Sequence, residues 1–70
     1  MKIDDYKIVL YCQEDGSWVA EIPAISGCHA LMPTCEEALA EVTRVFEMIA
    51  EEYREEGLSF PADSTEIVHA

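Results

Sequence analysis

Thr34-Cys35-Glu36-Glu37-Ala38-Leu39 divides the chain into what precedes a helix and the helix itself. The Thr34 hydroxyl can accept from the free amides of a first helical turn. Glu37, three residues on, can reach back to the Thr34 amide, which is the capping-box arrangement. Pro33 disfavours helical dihedrals at Met32, so the helix cannot begin before this cap. From Cys35 onward the apolar residues Cys35, Ala38, Leu39, Val42, Phe46, Ile49 and Tyr53 recur at three-and-four spacing and form one stripe. The opposite side carries Glu37, Glu41, Glu47, Glu51 and Glu55. Gly57 followed by Pro61 ends the pattern, which predicts a helix of about six turns. Glu55 and Glu56 oppose the helix dipole and are expected to weaken its last turn.

Upstream, Tyr6 to Cys12 and Ser17 to Ile22 read as strands, with Asp15-Gly16 as the turn signal between them. A two-residue loop would pair odd positions with even ones and spread the apolar set over both faces. An odd-length loop, Glu14-Asp15-Gly16 or five residues, places Ile8, Leu10 and Cys12 on the same face as Trp18, Ala20 and Ile22. One continuous core face favours the odd loop, with Gly16 supplying a positive φ. The other face then holds Lys7, Val9, Tyr11, Val19 and Glu21 and is only half polar. Pro23 ends the second strand because it cannot donate a ladder hydrogen bond. Ala24 to Gly27 turns the chain, Cys28 to Leu31 is expected to be a third, edge strand, and Thr65-Glu66-Ile67-Val68 a short last one. The class is α+β: a three-stranded antiparallel sheet packed by one long helix, in the order β-β-β-α-β.

Seventy residues make one domain, residues 1–70. A domain of that size buries only about 60% of its unfolded surface, so its core is thin and self-association is favoured. Half the residues are hydrophobic, which argues for a folded unit despite the high charge. Fifteen Asp and Glu stand against four Lys and Arg, a formal net charge of −11. Lys2, Lys7, Arg44 and Arg54 are too few and too scattered to neutralise phosphates, so neither nucleic acid nor an anionic membrane is an expected partner. Complementary potential points instead to a basic protein, although acidity also serves solubility alone. No apolar run approaches membrane-spanning length, and Met1 to Asp5 lacks the apolar core of a signal peptide, so a soluble, cytoplasmic protein is expected.

The carboxylates fall mostly on a solvated helix face and do not converge as metal-assisted hydrolysis requires; Asp4, Asp5 and Glu21 form at best a loose cluster. Cys12, Cys28, His29, Cys35 and His69 supply metal-ligating atoms without a Cys-x-x-Cys pair. Cys12 and Cys35 fall on core-facing stripes, where cysteine acts as a small hydrophobe, and free thiols are expected. His29 beside Cys28 has no orienting carboxylate or oxyanion-hole segment. No catalytic residue, metal or cofactor is assigned from the sequence. Trp18 is explained by core or hairpin packing, whereas Tyr11 lies on the half-polar face, where aromatic anchors are typical of interfaces.

Taken in order, the Asp15-Gly16 hairpin, Trp18-Val19-Ala20-Glu21-Ile22-Pro23, Gly27-Cys28, Thr34 with Glu37-Ala38-Leu39, and Glu56-Gly57-Leu58 before Pro61 resemble the HicB-like antitoxin family of bacteria and archaea. The resemblance runs from about Tyr6 to Pro61. It implies a partial ribonuclease H-like fold and a non-enzymatic role in a type II toxin-antitoxin pair, binding and occluding a small, basic, mRNA-cleaving HicA-like toxin. Longer members carry a carboxy-terminal DNA-binding segment; this chain resembles the short form without it. Family members commonly have Gly-Asp before the cap threonine. Met32-Pro33 stands there in this chain, which alters the turn and keeps the cap. The residues expected to meet the toxin are Tyr11, Val19 and Glu21 on the open sheet face, with Glu14 and Asp15 at the hairpin tip. A homodimer or homotetramer is expected, and the alternative function is an oligomeric structural or regulatory domain without a toxin partner.

Overall fold

Gly16 has φ +90°. Its N–H donates to the Gln13 carbonyl at 3.0 Å, and Gln13 N–H donates to the Ser17 carbonyl at 2.7 Å. The loop is thus Glu14-Asp15-Gly16, and the odd-length register follows, with Leu10 opposite Ala20 and Cys12 opposite Trp18. In the computed structural model, which describes residues 2–66 and 68, β1 is Val9–Cys12, β2 Trp18–Glu21 and β3 His29–Met32. All pairing is antiparallel in the order β1-β2-β3, and α1, Cys35–Glu56, lies over β2 and β3. This is the α+β sheet-and-helix arrangement that the patterning predicts.

The strands are shorter than the apolar runs. Tyr6 leaves a 3₁₀ turn at Ile3–Asp5 and is buried before β1 begins. Beyond β2, Ile22 N–H still donates to the Cys28 carbonyl at 2.9 Å. Ile25 N–H then donates to Ile22 and Cys28 N–H to Ile25, so two successive turns make the connection. Those turns bury Ile22, Ile25 and Cys28, which makes the loop part of the core.

Helix α1 buries Ala38, Val42 and Phe46. Ala20 and Ala30 face one another across β2 and β3, and together with Ala38 they put small side chains at the centre of the core. Three members of the expected stripe stand at its rim: Cys35 and Tyr53 are half-buried and Leu39 is exposed. Thr34 Oγ1 accepts from Glu37 N–H at 3.2 Å. Among the described residues the return bond from the Glu37 carboxylate does not form, so half of the capping box is present. At the other end Gly57 adopts φ +69°, its N–H meets the Arg54 and Tyr53 carbonyls, and Leu58 N–H donates to Tyr53 at 2.9 Å. These bonds satisfy carbonyls that the helix end leaves open.

The expected last strand is corrected. Thr65, Glu66 and Val68 are in no strand, and Ile67 lies outside the described residues. Phe60 stacks on Tyr53 and Phe46 at ring separations of 4.8 and 5.9 Å. Tyr6 Oη donates to the Pro61 carbonyl at 2.7 Å, and Asp63 Oδ2 accepts the Lys7 N–H at 2.6 Å. A carboxylate therefore takes the amide that a paired strand would have used. Among the described residues the segment is a strap held by side chains, with no backbone ladder.

Candidate protein-binding face

Alternation along the three strands separates two sets of side chains. Leu10, Trp18, Ala20, Ala30 and Met32 belong to the core beneath α1. Val9, Tyr11, Val19, Glu21, His29 and Leu31 take the opposite face. Tyr11, Val19 and Leu31 form one row across the sheet, and Val9, Glu21 and His29 form the next. No described element covers this face, and Tyr11 and Leu31 are 44% and 57% exposed.

Val19, expected as an open contact, is buried at 9%. It occupies the central strand with Tyr11 and Leu31 directly on either side, so its neighbours take the solvent that it would have met. It is the floor of the row, and Tyr11 and Leu31 are the parts that project. Leu31 and His29 join this face beyond the residues that the sequence pattern assigns to it. Their place follows from the pairing of the third strand with β2, in which Cys28 and Ala30 take the core side.

Glu14 and Asp15 are exposed at the hairpin tip, as expected. Asp15 Oδ1 accepts from both the Ser17 hydroxyl and the Ser17 N–H, the latter at 2.9 Å. Those bonds hold the Asp15 carboxyl below its ordinary range, the hydroxyl contributing most. Between the tip and the end of β3 lies an open depression lined by Asp15, Gly16, Ser17, Leu31, Met32 and Pro33. Leu31 joins the apolar row to this depression.

The cysteines and histidines do not converge. Cys28 and His29 are successive residues on an extended segment, so they take opposite faces of the sheet. Burial pushes the Cys28 thiol up, away from the thiolate form. Cys12 departs from expectation: it is exposed, because α1 lies over β2 and β3 while Cys12 ends the edge strand. All three cysteines are free. Among the described residues no three His, Cys, Asp or Glu side chains are placed to hold a metal, and His69 lies outside them.

A helix-backed sheet whose free face carries an apolar row beside acidic residues defines a small acidic domain with a surface suited to protein contact. Over 63 residues the chain is 38% identical to UPF0150 protein ssl0259 of Synechocystis sp., covering 90% of this chain and 86% of that protein. It is 30% identical over 67 residues to UPF0150 protein Ta0767 of Thermoplasma acidophilum, covering 93% and 97%. The chain belongs to the UPF0150 family. No family model matches it, and no solved structure does. Among the described residues no helix is long and apolar enough to cross a membrane.

Proposed function

We propose that this protein is a HicB-like antitoxin that binds and occludes a small, basic, mRNA-cleaving HicA-like toxin in the cytoplasm, without chemistry of its own. The observation that supports the reading is kinship over 90% or more of the chain with UPF0150, a HicB-like family. The free sheet face and the net charge of −11 supply a contact surface and a field that attracts a basic partner. Tyr11 projects as the anchor over the Val19 floor. Glu21 flanks it on the sheet, and Glu14 and Asp15 add negative charge at the hairpin tip.

The direct test is co-purification with the product of an adjacent basic reading frame, followed by RNA cleavage with and without this chain. Stable capture and loss of cleavage are expected. A neighbour that neither co-purifies nor loses nuclease activity in excess of this chain would overturn the reading. The second reading, an oligomeric structural or regulatory domain, draws on the same exposed Tyr11 and Leu31, which a second copy could cover. Self-association is compatible with both functions, and we propose a homodimer or homotetramer, which light scattering would measure.

A further inference from the structure

The depression beside the hairpin tip has a chemistry of its own. Leu31, 57% exposed on the free face, and Pro33 give it an apolar lining, and Met32, whose side chain belongs to the core side, also borders it. Asp15 supplies a carboxylate on the opposite lip, and Gly16 keeps that lip low because it carries no side chain. The carboxylate is fixed by its neighbour. Oδ1 already accepts two hydrogen bonds from Ser17, while among the described residues no donor reaches Oδ2.

Apolar lining in the same depression as a carboxylate with one oxygen free of hydrogen bonds suits an amphipathic side chain with a long stem and a cationic head. The two cationic side chains differ here. Arginine presents a planar fork that is best met by both oxygens of a carboxylate, whereas lysine is a point charge on a four-carbon stem. With the acceptor sites of Oδ1 occupied by Ser17, the fork has only one oxygen to meet. We propose that the depression formed by Asp15, Leu31, Met32 and Pro33 is a subsite for one lysine side chain of the partner, its stem on the apolar lining and its ammonium on Asp15 Oδ2. The inference rests on the reading that the partner is basic, and it makes the hairpin tip a point of recognition as well as a source of field.

The test uses the full chain, ¹⁵N-labelled, titrated with the Nα-acetyl methylamides of lysine, arginine and norleucine. Lysine is expected to shift the amides of Asp15, Gly16, Ser17, Leu31 and Met32 saturably in the millimolar range. Norleucine, which keeps the stem without the charge, and arginine are each expected to bind at least threefold more weakly. Asp15→Asn retains an Oδ1 acceptor for Ser17 and is expected to lose the preference for lysine over norleucine, with the rest of the amide spectrum unchanged. Shifts spread along the acidic face of α1, equal binding of norleucine, or equal binding of arginine would each overturn the subsite. A second arm measures the adjacent frame's product against wild type and Asp15→Asn. Equal affinities would overturn the subsite and leave the antitoxin reading standing. No binding to either chain would overturn the antitoxin reading, and the amide titration would still decide the subsite.

Discussion

Phe46 is 3% exposed and lies between Tyr6 and Phe60, with ring centroids 5.8 and 5.9 Å away. It therefore joins the chain's first residues, the middle of α1 and the returning strap. Phe46→Ala removes a buried ring from a core with little else to close the gap, and is expected to destabilise the domain by about 3–5 kcal/mol in urea unfolding. A small domain has only about that much in total, so the variant should be largely unfolded; a loss under about 1 kcal/mol would contradict this role for the ring. Tyr6 makes the same joint sensitive to alkali. Burial, aided by the charges of Asp5 and Asp63, raises its phenol above the ordinary value near 10. A raised folded-state value means that the contribution is complete below the unfolded value and is lost as pH climbs through the folded one. Stability should therefore fall above about pH 10 more steeply in wild type than in Tyr6→Phe. At neutral pH that variant should lose about 1 kcal/mol with the hydrogen bond to Pro61. Parallel alkaline slopes in thermal melts would assign the pH dependence to other groups.

Helix α1 begins where Thr34 caps it and ends where Gly57 turns left-handed, and both points were legible because caps are local chemistry. Thr34→Ala is expected to cost about 1 kcal/mol in chemical denaturation, and Thr34→Ser to restore most of it; an unchanged midpoint in the alanine variant would show that the Glu37 amide needs no side-chain partner. The hairpin register was legible for a related reason, since only an odd loop keeps Leu10 and Ala20 on one face. What escaped the sequence depends on other parts of the chain. Val19 is buried by residues of two other strands, and Cys12 is exposed because the helix crosses elsewhere. The residue types of Thr65 to Val68 favour a strand, yet the strap that leads into them from Phe60 is fixed by the hydroxyl of Tyr6, the amide of Lys7 and two distant rings. Local propensity carries no information about such partners. For the candidate face, Tyr11 and Glu21 are placed by alternation alone, and Glu14 and Asp15 by the Asp15-Gly16 turn signal. Leu31 needed the third strand's register, and the depression it lines needed the fold.

Across the whole molecule, charge and apolar surface are segregated. Eight of the fifteen acidic residues lie on α1, whereas the strands of the free face carry one, Glu21. The four Lys and Arg include Arg44, which is already paired with Glu41 at 2.6 Å, and Lys7, which lies 3.9 Å from Asp63. Duplex DNA and single-stranded RNA should accordingly show no micromolar anisotropy signal with the isolated chain at physiological salt, and a signal that collapses with added salt would contradict the charge reading. The same segregation lets attraction and adhesion be separated at the proposed interface. Exposed carboxylates act over roughly a Debye length, about 8 Å at physiological ionic strength, and so govern encounter. Reversing Glu14 and Glu21 to Lys, with Asp15 kept for its Ser17 bonds, should slow association with the basic partner and flatten its salt dependence, with the fold kept because neither residue is buried. Tyr11 works at contact distance. Its truncation to Ala should leave the association rate nearly unchanged and speed dissociation, costing about 1–2 kcal/mol if the ring seats in the partner. Surface plasmon resonance with the adjacent frame's product immobilised reads both rates in one experiment. Should Tyr11→Ala change neither rate while the charge reversals still slow association, the partner docks on another acidic surface, and the apolar row is left to a second copy of this chain.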